Sequence, residues 1–295
     1  MIVLMEFVIY LALILIGACL GSFAGATVWR IRARQLKSDK KHHESVDEKE
    51  YASLKGLADT KVSKDRSRCL HCGYELKWYD LIPVISWLTL RGKCRSCHKR
   101  IGYFELLIEL GTIAFFLVSY IFWPFALDAP LEIARFVVWL VAGVVLAMLF
   151  SYDAKWYLLP DKLTIVLAGL GVVTVTIAAL QSGNPLMTVL TAIGAVAVLS
   201  GIYLGLYLLS RGQWVGFGDI KLGFGLALLL IDWQLAFIAL FLANLIGCLI
   251  VIPLLATGKL KRTSRVPFGP LLILGTIVAQ FVGPAIVASY FSALI

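Results

Sequence analysis

Apolar residues run through this chain in blocks, and polar residues gather in the gaps between them. Most blocks approach the ~20 residues that a helix needs to cross hydrocarbon. Read in order, they predict eight membrane-spanning helices, at about 3–28, 103–126, 131–152, 160–181, 186–209, 219–231, 234–256 and 268–293. The narrowest division is Ile231-Asp-Trp-Gln234, between the sixth and seventh. The blocks are continuous rather than alternating, which excludes a transmembrane β-barrel. One gap is long. The chain therefore divides into a first span (1–29), a polar loop (30–102) and a seven-helix segment (103–295). The expected fold class is an all-α, polytopic membrane helix bundle with a small loop domain.

Composition agrees with this pattern. Of 295 residues, 60% are hydrophobic and 15% charged, against roughly 25% charged in soluble domains. The net charge of +9 does not point to nucleic acid, because its distribution follows membrane topology. With the N-terminus outside, the inward loops are 30–102, 153–162, 210–221 and 257–267, and they hold every Lys and Arg except Arg135. The outward links carry Asp128, Glu132 and Asp232 instead. This is a positive-inside pattern, with anionic lipid headgroups as secondary partners. The first span lacks the basic start of a signal peptide and carries Glu6, so it reads as an uncleaved span in the cell membrane.

The long loop has two parts. Residues 36–66 are charged and poor in apolar side chains, and read as a mobile or partly helical insert in which His42 and His43 are solvated. Residues 67–102 hold Cys69-Leu-His-Cys72 and Cys94-Arg-Ser-Cys97. Two such pairs supply four thiolates for a tetrahedral, structural zinc ion, with no position left open for catalysis. Arg68, Lys93 and Arg95 favour the thiolate forms. Gly73 and Gly92 permit tight turns, and His71 and His98 are not needed as ligands. A pair of redox dithiols is the alternative. Cys19 and Cys248 lie in apolar blocks and read as small hydrophobes.

Two acids stand out. Asp219 ends Gly216-Phe-Gly-Asp219, where the sixth block begins, and Asp153 ends the third. Alone, Asp219 reads as a helix cap. The charge pattern puts both acids on the cytosolic face, where two nearby carboxyls would share a proton and divide base and acid roles in hydrolysis. Gly216 and Gly218 would let a substrate backbone approach the acid. Lys221 and Glu109 are further candidates for substrate binding, while Asp161 reads as the first-turn acid of the fourth span. No strand precedes the glycines, which excludes a dinucleotide-binding turn. A transporter would place such acids near the midplane instead. A non-catalytic adaptor would tolerate substitution of both.

These segments together resemble the type IV prepilin peptidase family. The resemblance rests on Gly21-Ser-Phe23 with Arg30, on the double Cys-x-x-Cys with Asp80-Leu-Ile-Pro83 and Ser86-Trp87 between, and on Asp153 with Leu159-Pro-Asp161. It rests also on Gly216-Phe-Gly-Asp219 with Lys221, and on Pro267-Phe-Gly-Pro270. It implies a membrane aspartic peptidase with Asp153 and Asp219 as the catalytic pair. The expected reaction is cleavage of the basic leader of prepilins or pseudopilins on the cytosolic side. It implies also methylation of the new N-terminus with S-adenosylmethionine. The departures fall in the methylating half: Gly25 where asparagine is usual, Leu70 in the first knuckle, Gly102-Tyr-Phe104, and the long insert. A peptidase without methyltransferase activity is therefore the narrower alternative.

Overall fold

The computed structural model describes residues 2–58, 66–261 and 266–292. Among these, every regular element is helical apart from two isolated bridges, Arg68 with Glu75 and Lys93 with Arg100. The chain forms two compact units, Met1–Leu117 and Val118–Ile295.

The first unit is built on α1 (Ile2–Lys41), a single 40-residue helix. At 1.5 Å per residue it is about 60 Å long, roughly twice the thickness of a hydrocarbon core. It therefore continues well beyond the basic exit at Arg30, where the sequence suggested a loop. Residues 29–41 contain neither Gly nor Pro, and are mostly good helix formers. The charged insert returns as α2 (Glu48–Ala58), whose first turn is capped by the Asp47 carboxylate accepting from the N–H groups of Lys49 and Glu50. Leu54 and Leu57 of α2 pack on Ala33 and Leu36 of α1. Arg32 and Glu50 pair at 2.6 Å, and Lys40 and Glu48 at 2.8 Å. The described part of the insert, expected to be mobile or partly helical, is thus an ordered helical return. Residues 59–65 of that insert lie outside the described residues.

A five-residue helix, α3 (Ile85–Thr89), follows the first cysteine pair, and α4 (Phe104–Ile121) begins after the second. Gly21 brings α1 against α4: a β-carbon there would sit 2.7 Å from the Cα of Glu109. Small residues at such crossings let helices pack closely where lipid removes the hydrophobic driving force.

The second unit contains α5 (Pro130–Trp156), α6 (Asp161–Gln181), α7 (Pro185–Val196), α8 (Ile202–Ser210), α9 (Phe217–Leu230), α10 (Trp233–Ala256) and α11 (Gly269–Ser292). A π-helical turn, Ala197–Gly201, joins α7 to α8 in one continuous span. Seven of the described helices are long and apolar enough to cross a membrane. The element expected at 219–231 is present as α9, but its 14 residues reach only about 21 Å, short of a full crossing. It is instead the packed centre of this unit, with Leu222, Leu226, Leu229 and Leu230 essentially inaccessible. Gly223 makes that possible, since a β-carbon there would fall 2.5 Å from the Leu199 carbonyl oxygen. Exposed apolar side chains such as Val172, Leu186, Phe237 and Leu249 cover the outside, as suits a lipid-facing surface and not water.

Arg135, the one cation outside the expected inward loops, lies in the field of Glu132 and Asp232 and stacks 3.9 Å over the Phe125 ring. Its charge is thereby matched locally by acids of the outward links.

Candidate active site and metal centre

Asp153 lies in the last turn of α5 and is 5% exposed. The helix stops just beyond it, where Tyr157 takes a left-handed conformation and its N–H returns to the Asp153 carbonyl at 2.9 Å. Asp219 lies in the first turn of α9 and is half-buried, its carboxyl folded back on the Gly216 backbone. The two carboxyl groups are electrostatic neighbours, so the charge of Asp219 is felt at Asp153. The structure therefore brings together two acids that stand 66 positions apart in the chain.

A third group completes the arrangement. The backbone N–H of Gly269, at the start of α11, donates to Asp153 Oδ2 at 3.0 Å. A β-carbon at position 269 would lie 2.7 Å from that oxygen. Pro267-Phe-Gly-Pro270 was visible as a motif, but nothing in the sequence signals that its glycine meets Asp153. Tyr203 was also missed. Its buried hydroxyl lies beside the Asn244 side chain without reaching hydrogen-bond geometry, in the field of Asp219, while its ring meets Phe268 at 5.3 Å.

The glycines differ from one another. Gly216 is exposed, and among the described residues a β-carbon there would meet only Asp219 Oδ2, at 3.4 Å. The open side of Gly218 is filled by Leu159, 3.2 Å from a β-carbon. Lys221 Nζ reaches Asp161 Oδ1 at 2.7 Å and ties the start of α9 to the start of α6. Glu109 belongs to the first unit, where its Oε2 accepts from the Val84 N–H at 2.7 Å.

The four loop cysteines converge. Their Sγ atoms all lie within 4.8 Å of one another, with Cys69 and Cys97 at 4.0 Å and Cys72 and Cys94 at 3.9 Å. Bonds of about 2.3 Å in a tetrahedron separate the sulfurs by roughly 3.8 Å, so the four thiols can hold one metal ion. A disulfide needs about 2.05 Å, and none is formed among them. The two knuckles repeat one backbone plan. The N–H of Gly73 returns to the Cys69 carbonyl at 2.9 Å, and that of His98 to the Cys94 carbonyl at 3.0 Å. Gly73 (φ 72°) and His98 (φ 55°) fill the same left-handed position. His98 is thus a turn residue, and histidine is among the non-glycine types that adopt this conformation most readily.

Burial pushes the Cys69 thiol up to about 12. Cys94 balances burial, which raises it, against the N–H groups of Cys97 and Ser96 and its thiol neighbours, and falls to about 7. Arg95 is held above its usual range by its hydrogen bond to the buried Asp80 carboxylate, at 2.7 Å.

Comparison with known proteins decides the family. Residues 15–123 match the bacterial peptidase A24 N-terminal domain, and residues 140–252, which include both acids, match the type IV leader peptidase family. A prepilin leader peptidase/N-methyltransferase of Dichelobacter nodosus is 31% identical over 265 residues, covering 88% of this chain and 86% of that protein. The chain belongs to the type IV leader peptidase family. An enzyme of the same name from Pseudomonas aeruginosa is 27% identical over 285 residues, covering 95% and 92% of the two chains. A type 4 prepilin-like proteins leader peptide-processing enzyme of Escherichia coli is 31% identical over 269 residues, covering 90% and 91%. No solved structure matches this chain.

Proposed function

We propose that this protein removes the leader of type IV prepilins or pseudopilins at the cytosolic face of the cell membrane and then N-methylates the new terminus. The reading is carried by one observation: Asp153 and Asp219 are electrostatic neighbours inside a segment that matches a leader peptidase family. Two carboxyls brought to the two sides of one water would share a proton. The ionised one takes a proton from water as the water oxygen bonds to the scissile carbonyl carbon. The protonated one gives its proton to the carbonyl oxygen. Collapse of the tetrahedral intermediate breaks the C–N bond, and the departing amine takes up a proton. The Gly269 N–H holds the Asp153 carboxyl in place, and the open side of Gly216 leaves room for a substrate backbone beside Asp219.

The cytosolic placement rests on the charge pattern of the loops. A zinc ion bound by Cys69, Cys72, Cys94 and Cys97 fits the donor set, because four thiolates at tetrahedral spacing suit this metal. Its role is structural. S-adenosylmethionine supplies the activated methyl group, in keeping with the names of the relatives.

Asp153→Asn and Asp219→Asn should each leave prepilin uncut in reconstituted membranes, while the variants insert and keep their metal. Normal cleavage by either variant would overturn the assignment. Mass spectrometry of the mature N-terminus tests the methylation step, and an unmodified terminus in the presence of S-adenosylmethionine would restrict the protein to peptidase activity.

A further inference from the structure

The first unit contains a cavity of about 210 Å³ bounded by Trp29, Arg68, Trp87 and Glu105, among others. That is below the roughly 300–1,000 Å³ of pockets that enclose whole drug-sized ligands, so it suits one end of a molecule. Its polar groups are unevenly engaged. The Asp80 carboxylate accepts from Arg95 and from the Lys77 N–H, and the Glu109 carboxylate accepts from the Val84 N–H. Glu105 is different. Its Oε1 accepts from Trp29 Nε1 at 2.8 Å, but its Oε2 is shielded from solvent and has no partner among the described residues. The Nε of Arg68 is likewise buried and without a hydrogen-bond partner among them.

Buried polar atoms without partners are rare and costly. Here one is a carboxylate acceptor and the other a guanidinium donor, and the two residues that carry them line the same small cavity. A ligand end carrying a cation and a carboxylate together would satisfy both. An α-amino acid in its zwitterionic form has this chemistry. A peptide N-terminus does not, since it lacks the α-carboxylate.

We propose that this cavity binds the α-amino-acid end of a ligand, its ammonium on Glu105 and its carboxylate on Arg68, with planar Arg recognition of the carboxylate. The inference rests on the methyltransferase reading for its preferred ligand, because S-adenosylmethionine carries such an end. A free amino acid shares the chemistry and is the other source.

Calorimetric titration of the full-length, metal-loaded protein in lipid nanodiscs tests this. The probes are S-adenosylmethionine, free methionine, and 5′-methylthioadenosine, which has the nucleoside but no amino-acid end. The expected result is that Glu105→Gln and Arg68→Gln each weaken S-adenosylmethionine binding at least tenfold and leave 5′-methylthioadenosine binding unchanged. Methionine binding as tightly as S-adenosylmethionine, with the same loss in both variants, supports the site and assigns it to a free amino acid. The proposal is overturned if both variants bind S-adenosylmethionine within twofold of the wild type, if they weaken both nucleosides equally, or if the wild type binds neither S-adenosylmethionine nor methionine. Metal content and elution profile serve as folding controls. If Arg68→Gln loses metal, the isosteric Glu105→Gln carries the test. A wild type that binds S-adenosylmethionine through Glu105 yet leaves the cleaved pilin unmethylated would sink the methyltransferase reading and leave this site standing.

Discussion

Gly269 gives its amide N–H to Oδ2 of Asp153 at 3.0 Å, across 116 residues of chain. The same residue has no room for a side chain, since a β-carbon would press to 2.7 Å on that oxygen. The amide is a fixed dipole and cannot rotate away, so it sets where the acid stands. Gly269→Ala should therefore insert and fold but cleave prepilin on the order of 100-fold more slowly, the penalty expected when a reacting group is misplaced by about 1 Å. Initial cleavage rates in reconstituted membranes measure this. A rate within twofold of the wild type would show that the position tolerates a methyl group and that the amide does not orient the acid.

Lys221 and Asp161 pair at 2.7 Å with both side chains partly exposed. Such pairs contribute ~0–1 kcal/mol to stability, so the value of this one lies in holding the first turn of α9, where Asp219 sits. Lys221→Asp alone should lower cleavage, and adding Asp161→Lys should restore most of it. A lysine that grips substrate would gain nothing from the second change, and failure of rescue with intact folding would assign Lys221 to substrate contact.

A metal ion held by the four thiols should depend on each of them. Cys94→Ser should lose the metal, as read by elemental analysis, and a strong chelator should do the same to the wild type. Each ligand sheds its proton on binding, so acidification should release the metal and alkalinity should tighten it. Competition with a chromophoric chelator from pH 6 to pH 8 reads that direction, and metal loading that improves on acidification would exclude thiolate ligation. His98→Gly should retain the metal fully, because the position calls for a left-handed backbone and not a ligand.

Gly21→Ala drives a β-carbon into the Glu109 backbone of α4. Overpacking of this kind costs ~1–3 kcal/mol. Unfolding of the variant in mixed micelles should show that loss, and a change below about 0.5 kcal/mol would mean that α1 and α4 separate without penalty.

Spacing and charge revealed the cysteine cluster, because a Cys-x-x-Cys repeat is local in sequence and its geometry follows from two short turns. The acid pair was legible less directly. Topology put Asp153 and Asp219 on one face, and only the packing of α5 and α9 against the same two helices, α6 and α11, makes them electrostatic neighbours. The Gly269 amide was beyond reach, since a backbone donor has no side-chain signature. The insert reads as mobile or partly helical, and its docking on α1 was out of reach, since Leu54 and Leu57 gain meaning only against Ala33 and Leu36. Hydropathy likewise marked residues 219–231 as a span because it weighs apolar content more than length. Gly218 reads in sequence as open to substrate, whereas Leu159 lies against it in the fold.

The π turn at Ala197–Gly201 holds one residue more than an α-helix would place in the same length. Each residue turns a helix by about 100°, so this surplus acts as a phase shift between α7 and α8. Through it, Ser200 Oγ donates to the Ile220 carbonyl at 2.9 Å, one residue from Asp219, and the Tyr203 ring meets Phe268, next to Gly269. Deleting a single residue from 197–201 would leave an uninterrupted, still apolar span with the wrong azimuth. Membrane insertion and catalytic geometry would then come apart: the first survives the deletion, and the second is lost with the rotation.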